Sequence, residues 1–203
     1  MNSRSLGLNF SSRGDEYIAC WLRTTRKALV RGDLLLECGE FGVPALHVRR
    51  DEGDSYLANF RLPPGLVAGW HSVRLRFVDS GFSRELRIAV DLPIEVRELA
   101  LKGVYDGVSW TSDRIYASTE AYISCWVKGL PENCDRENVR VYVDDMRQLV
   151  EWIGEANAEG YRQINARATA ELSEGECLFR AECGGVSTAP ARITVLKSPR
   201  PAT

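Results

Sequence analysis

Tyr17-Ile18-Ala19-Cys20-Trp21-Leu22 decides the fold, because it occurs twice: it returns 105 residues later as Tyr122-Ile123-Ser124-Cys125-Trp126-Val127. At the same offset Leu34 falls on Val139, Leu36 on Val141, and Arg87-Ile88-Ala89-Val90 on Arg192-Ile193-Thr194-Val195. Leu66-x-x-Gly69 matches Leu172-x-x-Gly175 with a displacement of one residue. Four matches in order, at a nearly constant offset, read as two copies of one domain. The first copy covers residues 1–95 and the second 96–196, each near the commonest domain size of about 100 residues. The joint falls in Asp91-Leu92-Pro93-Ile94-Glu95-Val96, so the linker is short. Residues 197–203, from Lys197 through Pro199 and Pro201 to Thr203, read as a disordered tail.

Period-two alternation dominates inside each copy. Val73-Arg74-Leu75-Arg76-Phe77 puts apolar residues on one side and arginines on the other, and Leu86 to Val90 and Val139 to Val143 repeat the pattern. In Cys177-Leu178-Phe179-Arg180-Ala181-Glu182-Cys183, residues 177, 179, 181 and 183 share the core face. The repeated runs at 17–22 and 122–127 are apolar on both faces, as in a central strand. Turn signals separate the runs: Arg31-Gly32-Asp33, Glu52-Gly53-Asp54, Pro63-Pro64-Gly65 and Gly184-Gly185. Met146, Leu149, Val150 and Ile153 fit helical spacing, but the matching stretch of the first copy carries Gly42 and Pro44, so the segment reads as strand or irregular. The expected fold class is all-β, with two tandem immunoglobulin-like β-sandwich domains.

The second copy runs Val139-x-Val141-x-Val143-Asp144, Leu149-Val150-x-Trp152, Gln163-Ile164-Asn165, Leu172-x-x-Gly175, then Gly184-Gly185-Val186-Ser187 before Ala191-Arg192-Ile193-Thr194-Val195. This pattern resembles the bacterial immunoglobulin-like repeats of the IPT/TIG type. It is especially similar to modules with a Q-I-N motif before a strand and a G-x-x-S turn near the end. The resemblance covers most of residues 104–196 and, less strongly, 6–91. It implies a sandwich of the kind found in adhesins, surface enzymes, transcription factors and sugar-processing enzymes. In antibody-type domains a cysteine on strand B pairs with one on strand F against a tryptophan of strand C. Carried over, Cys125 would lie on B and Cys177 or Cys183 on F. Cys20 would lie on B without a partner, and Trp21 and Trp126 follow the B cysteine instead of lying on C. The default reading of all six cysteines is a free thiol buried as a small hydrophobe.

Twenty-six Lys and Arg against 28 Asp and Glu leave a formal charge of −2, which argues against a nucleic-acid-binding surface. Residues 1–95 hold 13 basic and 12 acidic residues; residues 96–203 hold 13 and 16. Neither balance names a partner. No apolar stretch approaches the roughly 18 residues of a membrane span. The first residues lack the apolar core of a secretory signal, so the cytoplasm is the default compartment. No two cysteines are spaced C-x-x-C, which argues against structural zinc.

His47 and His71 are the only imidazoles, and neither has a counterpart in the second copy. No nucleophile elbow, zinc-protease or phosphate-loop motif occurs. Asp51, Glu52 and Asp54 share one turn and Asp144 and Asp145 another; solvated hairpin acids account for both better than calcium. We therefore expect no catalytic site, no cofactor and no metal. The binding candidates are Trp70, Trp110 and Trp152, which stand outside the repeated Cys-Trp pair. Core or seam filling is the commoner use of such rings, with Trp110, near the linker, as the seam candidate. The expected function is a non-catalytic interaction or spacer module that presents loops or sheet edges to a protein partner, with edge-strand pairing as a route to a homodimer. The alternative is a carbohydrate-binding accessory domain, which requires one of the three tryptophans to be exposed. A third reading, a small enzyme at the domain junction, needs convergent polar groups from both copies.

Overall fold

The structure, a computed structural model, describes residues 1–26, 28–79, 81–117 and 121–197. The chain divides into two compact units, Met1–Pro93 and Ile94–Thr203. The expected tail, apart from Lys197, lies outside the described residues. Both units are β-sandwiches. Among the described residues there is no α-helix, and the one 3-10 turn is Arg31–Asp33.

Unit 1 contains β1 (Asn9–Phe10), β2 (Tyr17–Arg23), β3 (Leu34–Cys38), β4 (Phe41–Pro44), β5 (His47–Arg50), β6 (Ser55–Arg61), β7 (Gly69–Phe77), β8 (Gly81–Phe82) and β9 (Leu86–Val90). One layer has the order β1-β9-β7-β3-β4, with β8 on β7; the other is β2-β6-β5. Unit 2 contains β10 (Ala100–Asp106), β11 (Arg114–Tyr116), β12 (Tyr122–Lys128), β13 (Val139–Val143), β14 (Met146–Ala156), β15 (Tyr161–Arg167), β16 (Gly175–Cys183), β17 (Val186–Ser187) and β18 (Ala191–Leu196). Its strands form one continuous order, β10-β12-β15-β14-β13-β16-β18-β11, with β17 on β16.

Alternation builds both cores. On β16, Cys177, Phe179, Ala181 and Cys183 are buried while the residues between them face outward. On β7, Val73 and Leu75 go in and Arg74 and Arg76 out. Full burial of a ring such as Phe60 in unit 1 or Phe179 in unit 2 contributes about 2–3 kcal/mol.

The two repeated runs occupy different positions. β12 lies between β10 and β15, as a strand apolar on both faces should. β2 is instead an edge strand beside β6. Among the described residues its other side meets the first residues of the chain, where Ala19 N donates to Met1 O at 2.8 Å and Ser3 N to Tyr17 O at 2.9 Å. Ile18 and Ala19 of β2 are buried, whereas Trp21 on the same strand is 49% exposed.

The segment with helical spacing is β14. Register shifts between Val150 and Trp152 and between Ile153 and Ala156 interrupt its ladder with β15. Gln148 and Val150 are buried two apart, the bulges shift burial to Gly154, and Leu149, which completes the helical spacing, is an exposed apolar residue. In unit 1 the matching stretch is cut at Pro44 into β4 and β5, which belong to different layers. β14 pairs with both β13 and β15, so it ties the two layers of unit 2 together.

The six thiols are free. Cys125 on β12 and Cys177 on β16 border the same core without a bridge between them. Gly129, after β12, has φ +92°, and a Cβ there would stand 2.0 Å from Glu98 O. Only glycine admits both that backbone and that approach.

Candidate functional site

The outer face of β10-β12-β15-β14 in unit 2 gathers aromatic and amide side chains. Cross-strand register sets the first row: Trp152 is opposite Asn165, Asn165 opposite Ser124, and Ser124 opposite Tyr105. The next row has Gln163 opposite Trp126 and Trp126 opposite Gly103. Neighbouring strands lie about 4.8 Å apart, so Trp152 and Tyr105 are separated by three spacings, about 14 Å.

Two glycines let the terminal rings lie over the sheet. A Cβ on Gly154 would stand 2.6 Å from Trp152 Cη2, with two more indole atoms at 3.2 Å. The six-membered ring of Trp152 therefore covers Gly154 and leans toward the row of Gln163 and Trp126. A Cβ on Gly103 would stand 2.9 Å from Tyr105 Oη and 3.1 Å from Cε2, so that ring leans over Gly103 from the opposite side. The result is a strip running Trp152, Gln163, Trp126, Tyr105. Trp152 is 47% exposed, and Trp126 and Tyr105 are half-buried.

The amides are fixed by hydrogen bonds. Asn165 Oδ1 accepts from Ser124 Oγ at 2.8 Å and from Gln163 Nε2 at 2.8 Å. With its oxygen engaged twice, Asn165 turns its Nδ2 donors outward. Charged side chains stand at the margins, and two ion pairs lie among them. Arg167 meets Glu151 at 2.6 Å, and Lys102 meets Glu159 at 2.5 Å. The hydrogen bond between Lys102 and Glu159 raises the ammonium pKa and lowers the carboxyl pKa. Hydrogen bonding to Tyr122 and the charge of Glu151 hold the Arg167 guanidinium still more firmly protonated. The strip itself carries no formal charge.

The three tryptophan candidates fall in different places. Trp152 is part of the strip. Trp110 lies in the loop after β10 and is 53% exposed, with its ring centroid 6.4 Å from that of Tyr105. Its φ of +58° is costly for a bulky residue. Asp106 holds the loop: its Oδ1 accepts from Val108 N, Ser109 N and Ser109 Oγ, and its Oδ2 from Tyr116 N. Trp70 belongs to unit 1, on the outer side of β7, and is 39% exposed with the Arg87 guanidinium 4.5 Å above its ring. Core filling, the commoner use of such rings, describes none of the three. Each lies at an outward strand or loop position, where alternation leaves its neighbours to fill the core.

Trp126, Tyr105, Gln163 and Asn165 complete the strip; the Q-I-N motif and the repeated Cys-Trp pair mark three of them in the sequence, but as fold features and not as binding residues. Their signal was present as parity. Ser124 and Trp126 alternate with Ile123, Cys125 and Val127, while Gln163 and Asn165 flank Ile164. A glycine two residues from an aromatic, as in Gly103-x-Tyr105 and Trp152-x-Gly154, marks the room each ring uses.

The remaining candidates do not converge. His71 Nε2 lies 2.7 Å from Val67 O, and His47 faces outward on β5. Asp144 has φ +51° in the turn between β13 and β14 and accepts from Leu178 N at 2.8 Å. Among the described residues no group of three or more His, Cys, Asp or Glu is placed to hold a metal ion, and no helix is long and apolar enough to cross a membrane.

No family model matches the sequence, and no curated protein matches it. Solved structures resemble it at low identity. A Bacteroides ovatus protein of a mixed-linkage glucan utilization locus, solved with a mixed-linkage heptasaccharide, is 12% identical over 96% of this chain and 44% of its own, with a TM-score of 0.39. InvD of Yersinia pseudotuberculosis is 12% identical over 94% of this chain and 55% of its own, with a TM-score of 0.32. Domains 5–6 of the S-layer protein SbsC are 12% identical over 98% of this chain and 97% of their own, with a TM-score of 0.28. The chain spans about half the length of the first two, and no ligand or partner follows from likenesses at this level.

Proposed function

We propose that the protein is a non-catalytic binding module whose ligand face is the outer side of β10-β12-β15-β14, and that its ligand is a neutral polysaccharide segment. The observation that carries this reading is the pair of rings laid over Gly154 and Gly103 at the two ends of an uncharged amide strip. An aromatic ring offers a flat apolar surface to the C–H face of a pyranose, and fixed amides hydrogen-bond its hydroxyls. The paired charges at the margins favour a neutral ligand over an anionic one.

The test is tryptophan fluorescence titrated with soluble neutral and acidic polysaccharides. A saturable shift with a neutral glycan is expected. Trp152→Ala should weaken it at least tenfold, about 1.4 kcal/mol, while Trp70→Ala should leave it unchanged. A flat response across the panel, in folded protein, rejects the proposal.

A second reading, a protein partner, rests on the edge of β2. Beyond Ala19 this strand has no neighbour on its outer side among the described residues, and it carries Trp21, 49% exposed. Such an edge can pair with a second strand, including one from another copy. Sedimentation should then find a dimer that Trp21→Pro dissociates, because proline removes an edge donor.

A further inference from the structure

Cys134 and Cys183 lie far apart in sequence and meet in the core of unit 2. Both are 1% exposed and belong to the same buried cluster. Cys183 ends β16, and Cys134 belongs to the loop before β13. The Arg162 guanidinium on β15 closes the cluster: its Nη1 donates to Cys134 Sγ at 3.1 Å and to Pro131 O at 2.6 Å, and its Nε donates to Gly154 O at 2.7 Å. The Cys183 thiol also lies 3.9 Å from Asn138 Oδ1. Asn138 Oδ1 also accepts from Asp135 N at 2.9 Å, which brings the Cys183 sulfur to the turn that starts at Cys134, beside the Arg162 cation.

We propose that Cys134 and Cys183 are a dithiol–disulfide couple, oxidised to an intradomain disulfide when the chain folds in the presence of a disulfide donor. The two thiols titrate as a pair. The first proton leaves more readily than from an isolated thiol, because the remaining S–H and the Arg162 charge stabilise the thiolate; the second leaves with more difficulty. The thiolate attacks one sulfur of the donor R–S–S–R, forming a mixed disulfide and releasing RS⁻. The second cysteine loses its proton, attacks the protein sulfur of that mixed disulfide and expels the other RS⁻. The two cysteine protons end on the two RSH products, the two cysteines are oxidised and the donor is reduced. The new bond closes a loop of about 50 residues and restricts the unfolded chain accordingly. Because both sulfurs are buried, the reaction belongs to folding or to local opening, not to the closed native state.

The test uses the full chain, unfolded and refolded at pH 8 with oxidised glutathione, followed by thiol titration and peptide mapping without reductant. Two of six thiols should disappear, and the map should join the peptides of Cys134 and Cys183. The melting midpoint of unit 2 should rise by on the order of 10 °C, reversibly with dithiothreitol. Cys134→Ser and Cys183→Ser should each abolish both changes, whereas Cys125→Ser should keep them. Six persistent thiols in folded protein overturn the proposal. So does a bridge to Cys125 or Cys177, or a loss of two thiols that survives Cys134→Ser.

Discussion

The two units carry the same asparagine at the same place and treat it differently. In unit 1, His47 is opposite Asn59, Asn59 is opposite Ala19, and Ala19 bonds to Met1. In unit 2 the corresponding row is Trp152, Asn165, Ser124 and Tyr105. Asn165 Oδ1 accepts from Ser124 and Gln163, whereas Asn59 is flanked by Ala19 and Leu57 and its Oδ1 is buried without a partner. An orphaned buried acceptor costs about 1–3 kcal/mol. A sandwich therefore forms with or without the amide network, so fold formation alone does not account for the Ser124, Gln163 and Asn165 arrangement. That difference separates a face organised to meet something from one that is only a sheet surface.

The comparison breaks most visibly at Gly129, whose counterpart at the 105-residue offset is Thr24. Gly129→Thr places a Cβ against Glu98 O and should unseat the segment leading into β10. Unit 2 should lose about 3 kcal/mol or more in denaturant unfolding, with the unit 1 transition unmoved; an unmoved unit 2 transition would mean the close approach is not what seats β10. A smaller loss follows from pH. Burial pushes the Cys38 thiol up to about 11 in unit 1, and burial with the Asp144 hydrogen bond does the same to Cys177 in unit 2. Burial raises Cys125 further still. Unfolded thiols ionise near pH 8.5, so above that the unfolded state releases protons the folded state retains. Stability is full below about pH 8.5 and falls toward pH 11. Under reductant the fall should be steeper in unit 2, and Cys125→Ala together with Cys177→Ala should make it shallower without abolishing it, because Cys134 also holds its proton more firmly than a free thiol. The smallest effect repairs unit 1: Ala19→Ser with Leu57→Gln gives Asn59 Oδ1 the partners of Asn165. The double variant should gain about 1 kcal/mol, most of it absent from either single change. Simple additivity of the two changes would show that no network formed.

The all-β class was legible because alternation at β7, β13 and β16 is a direct consequence of one buried face. Strand position was less legible: nearly identical sequences make β2 an edge and β12 an interior strand, since pairing depends on a neighbour far along the chain. β14 hid behind its bulges, which shift burial parity without changing composition. The strip was half legible. Trp152 stood out by residue type, but Tyr105, Trp126, Gln163 and Asn165 gain meaning only when register places them side by side. The meeting of Cys134 and Cys183 in one buried cluster was not legible, because Cys134 lies in a loop whose path no periodicity describes.

Pro44 and its absence from β14 have a consequence for how each unit opens. Where one strand runs through both layers, the layers share backbone hydrogen bonds, and neither can melt without disturbing the other. Unit 2 should therefore release its slowest amide protons together, as a single cooperative body. In unit 1 the three-stranded layer is joined to its partner by side-chain packing and loops, so β5 and β6 can exchange through an opening that leaves β3, β7 and β9 protected. A single proline thus sets the grain at which each half of the molecule fluctuates.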